Sequence, residues 1–365
     1  MTGLLRRFSG AMRSYGHHLS ALACVLGFVL DATQLPSIEH PFTQYISFFY
    51  FALAGVALII FQSVSAGKLR SAFFTRVEPF LPPIIQFVFG GLLSVVFVYY
   101  FRSAELGVSW PLIIILGALI AGNELIKKTT TRLEFQIAVL FLLFLFFSIF
   151  YIPLLTGSIG TLTFFFSVLL SSVVLAGFIV LLSLVAWGKI KETVRRLLLT
   201  VTGIAVLVIG LYFLNIIPPI PLVGKAANVY HSISRDSSGN YVGRSEQQNF
   251  LESSFFVFFP PTYHRTSGEA VYFFSAVFAP LQLHTPIKHV WQYKDANNTW
   301  VTSSEISFPL SGGRKEGYRG YSEKFVAQAG LWRVLVQTED GRTISRKKFY
   351  IADVTKMPLL SQEIL

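Results

Sequence analysis

Two groups of side chains in this sequence have types and spacing suited to chemistry. The first is Arg314, Lys315, Tyr318, Arg319, Tyr321 and Lys324, on a stretch that also carries Gly312, Gly313, Gly317 and Gly320. Arginine forks match carboxylates and phosphates, tyrosine offers flat faces to sugars, and glycine lets backbone approach a ligand closely. The expectation is a site for an anionic lipid headgroup or an acidic glycan, centred on Arg314, Tyr318, Arg319 and Tyr321. The competing expectation is that the tyrosines pack in a core and the arginines are ordinary solvated residues. The second group is Asn123 and Glu124, a polar pair at the end of an apolar run. It reads either as an intramembrane polar site or as an interfacial carboxylate paired with Lys128 one turn on.

Other reactive residues do not assemble into a motif. His231, His264, His284 and His289 lack the spacing of zinc ligands, and the sequence has no His-x-x-Glu-His pattern. Glu305, Glu316 and Glu323 read as surface residues on turns rather than as paired catalytic carboxylates. A phosphate-binding loop, a dinucleotide fingerprint and a nucleophile elbow are all missing. No catalytic residue, metal ligand or cofactor is therefore expected. A single cysteine, Cys24, can form no internal disulfide.

The elements that must position these groups follow from composition. The 365 residues are 53% hydrophobic and only 13% charged, against about 25% charged in soluble domains. Residues 1–216 hold 14 Lys/Arg and 7 Asp/Glu, whereas residues 217–365 hold 16 and 12. The first part is too apolar for water and the second has the charge content of a soluble domain. Charge-free runs of about 20 residues cross a hydrocarbon core. They predict seven transmembrane helices, at about 15–31, 42–62, 80–101, 107–126, 135–155, 161–187 and 197–216. Pro153, Gly157 and Gly160 divide the longest run. Lys68–Arg76, with Leu69, Phe73 and Phe74 between basic residues, reads as an amphipathic surface helix or a plain loop.

Alternate loops carry 13 Lys/Arg on one side and only Arg102 on the other. By the positive-inside rule the N-terminus is cytoplasmic, and an odd number of spans puts the C-terminal part outside the cytoplasm. Those 13 residues also account for much of the net charge of +11. The basic balance therefore implies no nucleic-acid partner; the partner it implies is the lipid bilayer.

After Pro218, Pro219 and Pro221 the hydrophobic period changes from helical to alternating. Ile306, Phe308 and Leu310 alternate with polar neighbours, as do Trp332, Val334 and Val336. Asp340-Gly341 marks a hairpin, and Asn297-Asn298 and Gly312-Gly313 mark further turns. The expectation is a connecting segment over 221–264, partly β, then an all-β, immunoglobulin-like sandwich over 265–356. Trp332 and Val334 should face its core, with Trp291 as their partner across the sandwich.

His289-x-Trp291, Gly312-Gly313-Arg314, Gly317-Tyr318-Arg319-Gly320-Tyr321-Ser322 and Gly330-x-Trp332-Arg333-Val334 precede Asp340-Gly341 and Phe349 in one order. This pattern resembles a bacterial C-terminal domain of unknown function that follows several membrane helices or other modules. The resemblance covers about residues 265–352. It implies a bacterial inner-membrane protein with a periplasmic β-sandwich, and it implies no activity.

These readings support a non-enzymatic membrane protein whose external sandwich binds or organises something in the cell envelope. Its partners would be anionic lipid headgroups, envelope glycans or another envelope protein. The alternative is a transporter or a membrane enzyme acting on lipid or polysaccharide, because seven spans exceed what anchoring needs.

Overall fold

The computed structural model describes residues 41–125, 132–246, 260–325 and 328–365. The chain divides into a helical unit, up to Arg102 and from Ser109 to Ile217, and a second unit formed by Ser103–Val108 and Pro218–Leu365.

The helical unit contains α1 (Pro41–Ser65), α2 (Ala72–Val77), a single 3₁₀ turn at Glu78–Phe80, α3 (Leu81–Ser103), α4 (Leu106–Leu125), α5 (Leu133–Thr156) and α6 (Thr161–Phe213). Among the described residues, four helical stretches are long and apolar enough to cross a membrane, and Leu106–Ile120 is a shorter apolar helix. Among the described residues the count is thus five, against the seven expected over the whole chain. The expected span at 15–31 lies outside the described residues. The two expected spans 161–187 and 197–216 run within one 53-residue element, α6. The reason is local. Five of the eight residues 189–196 are charged, and Lys, Glu and Arg are good helix formers, so the expected loop is helical. The break falls instead at Ala186, whose φ of −131° and ψ of 36° leave the helical region. Phe164 stacks on Tyr212 with centroids 3.7 Å apart, so α6 doubles back on itself. Of the stretch 68–76, read as an amphipathic helix or a plain loop, residues 68–71 are non-helical and the rest lies in α2, with Phe73 exposed.

Pro153 lies inside α5, and the helix stops at Gly157, which takes the left-handed φ of 63°. Aromatic rings pair across the unit, some buried and some partly exposed. Phe51 and Phe144 meet edge to face at 5.2 Å, as do Phe48 and Tyr151 at 5.1 Å. Tyr99 stacks on Phe150 at 4.6 Å.

The second unit is sheet-rich. Its strands are β1 (Val223–Tyr230), β2 (Ser232–Arg235), β3 (Tyr241–Glu246), β4 (Thr262–Arg265), β5 (Ala270–Phe278), β6 (His284–Lys294), β7 (Trp300–Ser311), β8 (Tyr318–Phe325), β9 (Gly330–Thr338), β10 (Thr343–Asp353) and β11 (Leu360–Ile364). They form three sheets, ordered β1-β5-β8, β4-β10-β9-β6-β7 and β11-β3-β2. All pairings are antiparallel except β4 with β10. The hairpin turns fall where their residues demand, at Gly341 (φ 83°) and Asn298 (φ 65°).

The segment 221–264, expected as a connection, contributes β1 and β4 to the two main sheets and β2 and β3 to the third. The last strand, β11, pairs with β3. Strand β5 is buried on both faces. Phe273 meets Trp291 of the five-stranded sheet, whereas on the other face Phe274 meets Tyr230 of the neighbouring strand β1 and Tyr241 of the third sheet. Trp291 and Trp332 are both buried, as expected. However, Trp291 is paired with Val334 in the neighbouring strand of its own sheet, and its ring partner from the facing sheet is Phe273. Gly312 is required by close approach, since a Cβ there would fall 1.7 Å from the Pro280 carbonyl oxygen.

Candidate functional site

The residues that carry the sequence signature converge inside the β unit. His289 has no solvent exposure. Its Nε2 lies 2.8 Å from Ser275 Oγ and its Nδ1 lies 2.8 Å from Ser322 Oγ. Trp291 Nε1 donates to the same Ser322 Oγ at 3.0 Å. One assignment satisfies every group: the indole donates to Ser322, the Ser322 hydroxyl donates to Nδ1, and Nε2–H donates to Ser275. The rings of Phe273 and Phe308 stand edge-on to the imidazole, each at 4.7 Å. Burial pushes the His289 pKa down to about 3, so the ring is neutral. A neutral, fully partnered imidazole in a dry core holds strands together.

The expected ligand residues divide between two faces. Strand β8 alternates, so Tyr318, Gly320 and Ser322 point one way and Arg319, Tyr321 and Glu323 the other. Tyr318 stacks on Phe308 on the core side. Tyr321 is 42% exposed and belongs to the opposite face. Arg319, half-buried, lies two residues before Tyr321 on that same face, and Arg314 is exposed in the turn before the strand. The four residues therefore do not form one cluster.

What Tyr321 does join was not legible from its own neighbourhood. The β2–β3 hairpin turns at Asp236–Asn240, where Asp236 Oδ1 accepts backbone N–H bonds from Ser238 and Asn240 and Gly239 takes φ 81°. That turn brings Arg235 and Tyr241 together: Arg235 Nη2 donates to Tyr241 Oη at 2.8 Å, and its guanidinium lies 4.8 Å from the ring centre. Tyr241 meets Tyr321 at 5.8 Å, and Tyr321 meets Tyr272 at 6.2 Å. Tyr272 Oη donates to Glu323 at 3.0 Å. The result is a row of three tyrosines flanked by Arg235, with Arg319 and Glu323 on the same strand as Tyr321. Arg235 and Tyr241 come from one hairpin and Tyr272 from β5, all far in sequence from Tyr321, and no local signal in the chain links them to the glycine-rich stretch.

A second polar centre joins β2, β3, β4 and β5. The side chain of His231 is 2% exposed, with Nδ1 bonded to Glu269 and Nε2 3.2 Å from Glu246 Oε1. His264 Nδ1 lies 2.8 Å from Glu246 Oε2, and the His264 backbone N–H donates to Glu246 Oε1 at 2.6 Å. The His231 imidazole stacks on Tyr263 at 4.2 Å. Burial opposes charging of His231, but the hydrogen bonds and charges of Glu246 and Glu269 outweigh it and raise its pKa. Burial likewise opposes charging of Glu246, and its bonds to His231 and His264 outweigh that and hold it down to about 2. Beside this centre is a cavity of about 20 Å³, room for a single water. Among the described residues no group of three or more His, Cys, Asp or Glu is arranged to hold a metal ion.

In the helical unit, Asn123 and Glu124 lie in the last turn of α4, and their side chains fall outside the described residues. Lys128 also lies outside them. Two glutamines do converge: Gln62 Nε2 donates to Gln136 Oε1 at 3.1 Å, with both residues buried.

One comparison with known proteins falls within the β unit. Residues 284–351 match the model of a family described as a protein of unknown function (DUF2914). This fits a C-terminal domain of unknown function and includes His289, Trp291 and Ser322 of the buried network. No curated protein matches the chain. Among solved structures, the Pseudomonas fluorescens alkylpurine DNA glycosylase AlkC bound to DNA containing an abasic site analog is similar at 11% identity. That alignment covers 90% of this chain and 81% of that chain with a TM-score of 0.19, and a likeness at that score carries no inference.

Proposed function

We propose that this is a bacterial inner-membrane protein whose helices anchor an extracytoplasmic β unit, and that the β unit is a binding module rather than a reaction centre. In this reading the N-terminus is cytoplasmic, and the β unit takes anionic headgroups or acidic glycans of the envelope. The observation that carries it is the row Arg235, Tyr241, Tyr321 and Tyr272, partly open to solvent on one side of the β1-β5-β8 sheet. Tyr241 stands edge-on to Tyr321 and Tyr272 is tilted against it; tyrosine faces left open to solvent suit sugar rings, and a guanidinium held over a ring keeps its outer edge for a carboxylate or phosphate. In this reading the expected site keeps Arg319 and Tyr321, gains Arg235, Tyr241 and Tyr272, and leaves out Arg314, exposed in the turn before β8. It loses Tyr318 to the core.

The test uses the full chain in nanodiscs of neutral lipid, titrated with alginate oligomers and with glycerophosphoglycerol, the bare headgroup. Binding of either probe that weakens as salt rises and drops in Tyr321→Ala/Arg319→Ala supports the reading. Absence of binding by folded wild-type protein defeats it.

A second reading, a transporter or membrane enzyme acting on lipid or polysaccharide, draws on one observation. The Gln62–Gln136 pair and Lys189 form a polar centre within the helical unit. Loss of a measured flux or turnover in Gln136→Leu would favour it.

A further inference from the structure

The polar centre of the helical unit sits at the end of an apolar slot. The slot lies between α1, α5 and α6 and is lined by Phe51, Gly55, Phe141, Phe144, Ser171 and Phe178, with a volume of about 120 Å³. That is comparable with the roughly 150 Å³ apolar cavity that stays dry and takes up benzene. It opens on one side, where Val174 is exposed. Gly55 sets its width: a Cβ there would already touch Phe178 Cε2 at 3.5 Å, so any longer side chain enters the slot.

Gly55 and Gln62 are seven residues apart on one face of α1, and Gln136 and Leu140 are four apart on one face of α5. The amide pair therefore lies about 6–10 Å along the bundle from the slot walls, by the helical rise. At that end two ammonium groups gather. Lys189 Nζ donates to Gln62 Oε1 at 3.2 Å. Lys68 Nζ donates to the Leu184 carbonyl at 2.6 Å, two residues before the break in α6. Lys191 and Arg195 are exposed on the following turns, and Arg196 pairs with Glu134 at 3.3 Å. An ammonium carries three N–H donors, and Lys189 commits one to Gln62.

We infer that the helical unit binds one anionic phospholipid, with a short stretch of an acyl chain in the slot and its phosphate on Lys189 beside Gln62 and Gln136. The apolar slot selects a hydrocarbon chain over free phosphate. The lysines select an anionic headgroup over a neutral one. This site is separate from the proposed surface of the β unit, and either can fail without the other.

The experiment delipidates the full chain in neutral detergent and adds phosphatidylglycerol, phosphatidylcholine or inorganic phosphate. Native mass spectrometry reads the retained lipid, and a thermal melt reads stabilisation. The expected result is a one-to-one phosphatidylglycerol adduct with a raised Tm, and neither effect with the other two probes. Gly55→Leu should lose the adduct. Lys189→Gln should lower the preference for phosphatidylglycerol over phosphatidylcholine roughly tenfold, as expected for a charged hydrogen bond. Equal adducts in wild type and folded Gly55→Leu would overturn the inference, as would equal stabilisation by phosphate or phosphatidylcholine. If Gly55→Leu does not fold, the Lys189→Gln preference decides alone, and an unchanged preference overturns it.

Discussion

Strands β5 and β8 present two faces that differ in kind. On one, Phe273, Ser275 and Val277 stand opposite Ser322, Gly320 and Tyr318. There the serines clamp a neutral His289 in a dry network. On the other, Tyr272, Phe274 and Ala276 stand opposite Glu323, Tyr321 and Arg319. There Phe274 is buried under Tyr230 and Tyr241, while the tyrosine row remains partly open to solvent. The same pair of strands thus builds a permanent core and a surface with groups to offer. The most distinctive residues of the sequence, His289, Trp291 and Ser322, belong to the first. The lesson is that a recognisable signature can mark the packing of a domain while its ligand face draws on less conspicuous residues.

The largest expected effect lies on the core face. Trp291→Ala should destabilise the β unit by about 3–5 kcal/mol, the usual cost of deleting a buried large aromatic. Urea unfolding followed by tryptophan fluorescence measures it. A loss below 1 kcal/mol, on the scale of surface substitutions, would make the two faces energetically alike.

The next effect is the pH dependence of His289. Its folded pKa of about 3 lies below the ordinary value of 6.5, so the unfolded chain binds the proton first. The stability this neutral ring preserves is complete above about pH 6.5 and is lost as pH falls toward 3, by a few kcal/mol over the range. His289→Leu should reduce that acid sensitivity. It should also cost about 1–3 kcal/mol at pH 7, because Ser275 and Ser322 lose their partner. Unfolding titrations of both proteins at pH 7 and pH 4 test this.

His231 sharpens the contrast, because it is as buried as His289 but lies between carboxylates. Its raised pKa gives stability that is present below about pH 6.5 and lost as pH rises through the folded value. Glu246 works in the other direction. Held at about 2 against an ordinary 4.5, it contributes above about pH 4.5, and the contribution disappears as pH falls toward 2. Full coupling would be worth ~3 kcal/mol, and solvent screening of the partly exposed group reduces that to about 1–2 kcal/mol. Glu246→Gln should remove this amount at pH 6. Imidazole ¹⁵N shifts should show His231 protonated at a pH where His289 is neutral.

Much of the fold was legible in residue patterns. The alternation of Ile306, Phe308 and Leu310 located β7, and Asp340-Gly341 located the β9–β10 turn. The apolar runs located α1, α3, α4 and α5 to within a few residues. Two features were not legible. A charged stretch between two apolar runs reads as a loop, yet Lys189–Arg196 is helical, and the break sits in apolar surroundings at Ala186, a good helix former. The third sheet also escaped, because its strands come from 232–246 and from the C-terminal end, and pairing across that distance leaves no local signal. The candidate site followed the same rule. Tyr321 and Arg319 were visible as types on a glycine-rich stretch, whereas Arg235, Tyr241 and Tyr272 reach them only through tertiary packing.

The smallest effect on stability should accompany the central claim, which is that the tyrosine–arginine face binds anionic envelope components. Tyr321→Ala/Arg319→Ala should change the unfolding free energy of the β unit by about 0.5 kcal/mol or less, as for other surface sites. The decisive measurement is the affinity of the nanodisc-embedded full chain for alginate oligomers and glycerophosphoglycerol at low and high salt, with wild type and this double variant side by side. The account predicts salt-sensitive binding by wild type that falls roughly tenfold in the variant, about 1.4 kcal/mol of lost contacts. Equal affinity in both proteins, or no binding by folded wild type, would contradict it.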